Sequence, residues 1–254
     1  MRRRIGIICG MVVLVVLLTG VLASAVDMKG KIGFGGYGGY SLLKPAGFNQ
    51  VLNERKEHYE SWLYFGPNSG TIKPLNSGIL YRGEIRYGVA SNLMLGAGYS
   101  KMSGSGQVNW DNGWAWTGEY KATLSVTGIT ASLLFAMGGE SSNFYFGGGA
   151  GWYSGTITRT ASSDPAWVCD FYDKIVYQGK STVGFHGIAG FEFFLSSNVA
   201  IGIEGMYSLV KFPPEWTIKE HPDSYWVGET STIWTNAVQA GGITIGGGLH
   251  FYIP

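Results

Sequence analysis

The chain has 254 residues, 41 of them glycine, with 14% charged and 15% aromatic side chains. So little charge with so much glycine and aromatic content argues against an ordinary soluble enzyme. The formal charge is +1; setting aside Arg2, Arg3 and Arg4 takes it to about −2, which excludes a basic nucleic-acid surface.

Those arginines open a stretch, residues 1–25, that reads as a secretory signal peptide: a positive start, an apolar run from Ile5 to Leu18, and an A-x-A cleavage site at Ala23-Ser24-Ala25. Cys9 does not follow a lipoprotein box, because Gly6-Ile7-Ile8 is bulky where small residues are needed. Removing the leader leaves one cysteine, Cys169, so no disulfide can form within one molecule and the thiol reads as an inert loop residue. No later stretch approaches the length of a transmembrane helix. The mature unit is then 26–254, one domain.

The first expected strand runs from Lys29 to Leu43. Ile32, Phe34, Tyr40 and Leu42 alternate with Lys31, Gly33, Gly35, Tyr37 and Ser41. Lys44 to Ser77 is a long excursion. Within it Phe48, Val51, Leu52, Tyr59, Trp62 and Leu63 recur at helical spacing, so a short helix is predicted ahead of a Gly/Pro/Asn loop. The second strand, Gly78 to Ala90, sets Ile79, Tyr81, Ile85, Tyr87 and Val89 against Arg82, Glu84 and Arg86. The third runs from Leu93 to Met102 after an Ala90-Ser91-Asn92 turn. Ser103 to Gly118 reads as a polar loop whose three tryptophans mark a membrane interface. The fourth strand spans Glu119 to Met137, with Glu119, Lys121, Thr123, Ser125 and Thr127 as inward candidates. Its alternation changes sense near Gly128, which predicts a bulge there. Gly138 to Ser142 turns into a fifth strand, Asn143 to Thr160, and Ala161 to Gln178 is a third long loop.

Ser181 to Leu209 carries the clearest pattern. Val183, Phe185, Ala189, Phe191, Phe193 and Leu195 share one face, and Thr182, Gly184, His186, Gly190 and Glu192 share the other. After Ser196-Ser197-Asn198 the apolar set resumes as Val199, Ile201, Ile203, Tyr207 and Leu209, opposite Ala200, Gly202, Glu204 and Ser208. This is a hairpin, strands six and seven. Its second face is made of small residues and carboxylates, which cannot fill a core, and a lone buried Glu is costly. A barrel wall accounts for both faces: apolar side chains toward lipid, polar ones toward a lumen. Lys211 to Gln239 is a fourth long loop. Strand eight, Ala240 to Ile253, points Ile243, Ile245, Leu249 and Phe251 outward.

Short turns follow strands two, four and six, and long loops follow one, three, five and seven. The fold class predicted is therefore all-β: an eight-stranded antiparallel transmembrane barrel, with short periplasmic turns, long extracellular loops and a short helix in the first of them. The fourth and fifth strands exceed the roughly 9–11 residues needed to cross a membrane, so their outer ends should project beyond it.

The run GFHGIAGFEFFLSSNVAIGIEGMYSL, with SNFYFGGGAGWY at Ser142–Tyr153, resembles the small bacterial outer-membrane β-barrels, the class that includes the outer membrane protein A barrel domain and its OmpW-like relatives. The resemblance covers the mature chain except its external loops. It implies a bacterial outer-membrane location, contact with outer-membrane lipid and lipopolysaccharide, and insertion by the barrel assembly machinery. For the last, Thr244, Gly246, Leu249 and Phe251 resemble the family's C-terminal assembly signal. The family usually stops at the final aromatic, whereas here Tyr252-Ile253-Pro254 follow.

The candidate site is the expected lumen charge network: Lys31, Arg82, Glu84, Arg86, His186, Glu192 and Glu204, with His250 near it. Charges in so narrow an interior must pair and hydrogen-bond, which makes a plug or a narrow gate. No cofactor is expected, and four scattered histidines show no metal-ligand spacing. Three functions fit: a structural or surface-interaction barrel, an OmpW-like conduit for small or hydrophobic solutes, and a lipid-modifying enzyme. The third is disfavoured because His186 is followed by Gly187-Ile188 and lacks the His-x-Ser of the lipid A deacylases. An extracellular ligand would be held by the long loops, Lys44 to Ser77 above all.

Overall fold

The computed structural model describes residues 27–43, 45–62, 69–111, 117–139, 141–164, 174–221, 227–228 and 237–253. The leader, Cys169, Trp114 and Trp116 fall outside the described residues. The elements in chain order are β1 (Ile32–Leu43), α1 (Ala46–Trp62), β2 (Ser69–Lys73), β3 (Ser77–Ala90), β4 (Leu93–Asp111), β5 (Thr117–Gly139), β6 (Ser142–Asp164), β7 (Ile175–Gly179), β8 (Thr182–Ser196), β9 (Val199–Leu209), β10 (Lys211–Phe212), β11 (Trp216–Glu220), β12 (Val238–Gln239) and β13 (Gly242–Ile253).

Eight strands close a ring in the order β1, β3, β4, β5, β6, β8, β9, β13, every neighbour antiparallel, with β13 returning to β1 and β8 pairing β6. Closure leaves no open edge in this wall, which is the condition for a sheet surrounded by hydrocarbon. The outward face along the lower wall is apolar and unprotected by protein: Ile129 is 68% exposed and Ile203 67%. Gly88/Ala90 and Phe194/Ser196 are register shifts beside the two-residue turns that end β3 and β8.

β4, β5 and β6 continue well past the rest of the ring. β5 and β6 have 23 residues each, about 75 Å of extended chain. Their polarity inverts along the way. Below Gly128, Ile129, Leu133 and Phe135 face outward; above it the same face carries Lys121, Thr123, Ser125 and Thr127, while Tyr120, Ala122, Leu124 and Val126 are buried inside. The β4–β5 and β5–β6 registers run through Gly128 without a shift. The expected bulge is therefore absent, and Glu119, Lys121, Thr123, Ser125 and Thr127 belong to the outer face. What changes at Gly128 is the solvent, not the strand: hydrocarbon outside below, water outside above, so the apolar face must move inward.

The upper strands belong to a six-stranded extension in the order β2, β4, β5, β6, β7, β11. It occupies four stretches read from sequence as loops: Ser69–Lys73 is β2, residues 103–111 continue β4, Ile175–Gly179 is β7, and the fourth loop holds β11, while β10 and β12 pair with each other in a separate two-stranded sheet. Trp110, expected at a membrane interface, is instead 6% exposed within this upper core. α1 packs on the inner face against β2, β4 and β12. Phe48 and Leu52 are fully buried there, each such side chain contributing about 1.5–3 kcal/mol. A Cβ on Gly106 would collide with the Leu52 side chain, so glycine lets the helix sit close. Asn49 fixes it in place: its Nδ2 donates to Leu75 O at 3.1 Å and its Oδ1 accepts from Leu75 N at 2.9 Å. Phe212, Trp216 and Val238 complete the apolar packing.

Candidate functional site in the lumen

Period-two alternation carries Arg82, Glu84 and Arg86 to the inner face of β3, opposite the inner residues of β8, β9 and β13. There they meet. Arg82 Nη2 lies 2.5 Å from Glu204 Oε2 and 2.9 Å from Glu84 Oε2. Arg86 pairs with Glu84, reaches Glu192 Oε1 at 2.8 Å from Nη1, and lies 3.5 Å from Glu204 Oε2 through Nη2. Every one of these side chains is at most 6% exposed.

A shell of hydroxyls and one imidazole surrounds the charges. Tyr145 donates to Glu204 Oε2 at 3.0 Å, and Tyr252 donates to Glu192 Oε2 at 2.8 Å. Arg86 Nη2 donates to the Tyr37 hydroxyl at 3.2 Å. The guanidinium carbons of Arg82 and Arg86 stand 4.9 and 4.2 Å from the ring centres of Tyr37 and Tyr145, within cation–π range. His250 sits between two carboxylates, Nε2 3.1 Å from Glu84 and Nδ1 against Glu192. In a low-dielectric interior this density of partners is what keeps buried charges tolerable.

Two glycines make the room. A Cβ on Gly35 would overlap the His250 ring, and one on Gly190 would overlap Tyr145. Both face inward on strands that lie beside those aromatics, on β13 and β6.

Of the residues singled out from sequence, Arg82, Glu84, Arg86, Glu192 and Glu204 form one contiguous cluster. His186 is inside the same lumen but apart from it: its Nε2 lies 2.8 Å from Ser132 Oγ, and its Nδ1 has no hydrogen-bond partner among the described residues. Lys31 precedes β1 and is half-buried; its backbone carbonyl accepts from Gly88 N of β3 and its N–H donates to Met28 O, which ties the segment before β1 to β3. Tyr37, Tyr145 and Tyr252 went unread because aromatic residues at inward positions look like filling. Their signal was the period: each falls in register with the polar face of its strand.

Ser132 and His186 supply a hydroxyl and a base in contact, two parts of an acyl-transfer site. The third, an acid orienting Nδ1, is missing among the described residues, and Glu84, Glu192 and Glu204 are all held by guanidinium groups. Among the described residues no group of His, Cys, Asp and Glu is arranged to hold a metal ion.

Above the cluster a small enclosed cavity is lined by Arg82 and His186 and by Leu80, Met102, Val126 and Met206. Above that lies the apolar core beneath α1. Beyond the wall, Glu60 of α1 anchors the helix to β2: Lys56 Nζ lies 2.9 Å from Glu60 Oε1, and Gly70 N donates to that oxygen at 3.2 Å. The Lys56 hydrogen bond, followed by that of Gly70, holds the Glu60 carboxyl below its ordinary range.

A family model described as the outer membrane protein beta-barrel domain matches residues 11–251. The chain belongs to that family. This outer-membrane β-barrel therefore resides in the bacterial outer membrane. Similar solved structures include the outer membrane protein OprG from Pseudomonas aeruginosa (15% identity, 90% of this chain and 98% of that one, TM-score 0.47). Others are Ail of Yersinia pestis (14%, 89% and 100%, 0.40) and Neisserial surface protein A (12%, 88% and 97%, 0.42). No curated protein matches the sequence.

Proposed function

We propose that this barrel is a non-enzymatic anchor in the outer membrane, with a plugged lumen and a rigid extracellular head as its working surface. The observation that carries the reading is the double obstruction of the interior. The Arg82–Glu84–Arg86–Glu192–Glu204 cluster crosses the barrel, and the α1 core fills the mouth above it. An eight-stranded interior is only wide enough for side chains to fill, and each obstruction occupies it at a different height. The long connections contribute strands and a helix to one packed head, which suits display of a surface more than gating of a stream.

Enzyme action is disfavoured because, among the described residues, no acid orients His186 Nδ1. A conduit for small or hydrophobic solutes would need both obstructions to yield together. Proteoliposomes containing the mature protein should therefore admit neither small sugars nor an apolar dye faster than protein-free vesicles. Solute entry that scales with the amount of folded protein would replace the anchor reading with the conduit reading. Insertion through the C-terminal strand by the barrel assembly machinery belongs to the same proposal; exchanging Phe251 for a charged residue should lower assembly in cells and leave refolding in detergent intact.

A further inference from the structure

Arg159 departs from the pattern of the upper half of β6. The inward row there runs Tyr153, Gly155, Ile157, Arg159 and Ala161, and the cross-strand neighbours of Arg159 are Ala122 on β5 and Ile175 on β7. A guanidinium is thus set among small and apolar side chains, only 9% exposed. Arg82 and Arg86 are comparably buried in the lumen, but each of them meets carboxylates. Arg159 meets none among the described residues. Its Nη1 donates to the Tyr177 hydroxyl at 3.4 Å, its Cζ stands 5.7 Å from the Tyr120 ring centre, and its Nε has no hydrogen-bond partner. Carboxylates of the head are engaged elsewhere: Glu60 with Lys56, Glu119 with Gln107 and Glu220 with Lys174.

A second guanidinium adds to the imbalance. Burial pushes the Tyr120 and Tyr177 hydroxyls above the ordinary phenol range, while Arg159 and then Arg55 act against it. Arg55 therefore approaches from half-buried α1, near the Tyr120 hydroxyl but without a well-formed hydrogen bond to it. Two cations and an enclosed, unpartnered phenol converge with no anion among the described side chains. A buried charge is tolerated only when it is paired. A monoanion would leave one guanidinium uncompensated. A tetrahedral dianion matches both charges, and its oxygens can accept from Arg159 Nε, from Arg55 and from Tyr120 Oη.

We propose that the extracellular head binds a soluble tetrahedral dianion of the phosphate class between Arg55 and Arg159. The source is soluble because Arg159 faces inward at the level of Ala122, six residues along β5 beyond Gly128 and about 20 Å of strand. Lipid lies outside the wall and below that level. The site gives the head a ligand, and it stands whether or not the lumen conducts.

The test is a calorimetric titration of inorganic phosphate, at mildly alkaline pH, into the mature protein folded in neutral detergent. Wild type should show one saturable site, with sulfate competing and acetate competing far more weakly. Arg159→Gln and Arg55→Gln should each weaken phosphate binding about tenfold to a hundredfold, the loss of a charged hydrogen-bond donor. Lys121→Gln, on the outer face of β5, should leave it unchanged. Heat-modifiable migration confirms that each variant is folded. If Arg159→Gln fails to fold, Arg55→Gln on the half-buried helix gives the same readout. No saturable phosphate binding by wild type, or equal affinity in the Arg variants, would overturn the site. Equal competition by acetate would overturn the dianion, and competition by phosphatidic acid in the micelle would overturn the soluble source.

Discussion

Tyr37 and Tyr145 stand on diametrically opposite strands of the eight-strand ring, β1 and β6, and their hydroxyls meet at 2.8 Å. Arg86 on β3 and Glu192 on β8 are likewise opposite and meet at 2.8 Å. The interior is therefore spanned by two struts that share Glu204, which accepts from Tyr145 and lies within 3.5 Å of Arg86. The cluster braces the wall from within.

Removing one hydroxyl should be felt across the barrel. Tyr145→Phe loses a donor to a buried carboxylate and should destabilise by about 1.5–3 kcal/mol. Tyr37→Phe removes the other half of the same strut, so the double variant should cost less than the sum of the singles. Denaturant unfolding in lipid vesicles measures all three; strict additivity would mean that the hydroxyls act independently.

Arg86 is the cation on which Glu84, Glu192 and Glu204 converge. Arg86→Leu leaves those carboxylates under-compensated in a buried site and should cost about 3–5 kcal/mol. Adding Glu192→Leu should restore part of that loss, because it removes one of the orphaned charges. A double variant less stable than Arg86→Leu alone would show that Glu192 is held by His250 and Tyr252 rather than by Arg86.

The extracellular head should loosen separately from the wall. Asn49→Ala leaves the Leu75 N–H and C=O without their side-chain partner, a penalty of about 1–3 kcal/mol confined to α1 and its contacts. Hydrogen exchange should rise at Leu75 and along α1 while β8 and β9 stay protected. Equal loss of protection in β8 and β9 would make the head and the wall one cooperative unit.

Acid should release the α1–β2 contact. Glu60 is held below its ordinary carboxylate range by Lys56 and Gly70. Its contribution is therefore complete above the unfolded-chain value and is lost as pH falls through the lower, folded one. The Gly70 amide resonance should shift only in that acidic window, and Glu60→Gln should abolish the transition. A Gly70 shift centred near neutrality would point to another group.

Much of this architecture was readable from sequence where one physical rule applied along a whole strand. In β8 and β9 the outside is hydrocarbon from end to end, so Val183 to Leu209 alternates cleanly, and Glu192 and Glu204 stand out as interior. The same rule misassigned Lys121, Thr123, Ser125 and Thr127, because the upper part of β5 has water outside and an apolar core inside. Polarity by itself does not say which medium a strand faces. The short strands β7 and β11 were lost for a related reason: five residues amid polar loop sequence carry too little periodicity to stand out. Within the site, charge marked Arg82, Glu84 and Arg86, but which carboxylate each would meet depended on ring order, and the tyrosine struts depended on diameters that only the closed barrel defines.

The central claim, a lumen closed at two heights, is tested most directly by planar-bilayer recording of the folded mature protein. The account predicts no steady conductance from wild type, and none when the cluster alone is opened by Arg86→Leu, because the α1 core still fills the mouth. Conductance should appear only when Arg86→Leu is combined with replacement of Lys44–Ser77 by a short Gly/Ser turn. Steady, ion-selective conductance through the wild-type protein would contradict it.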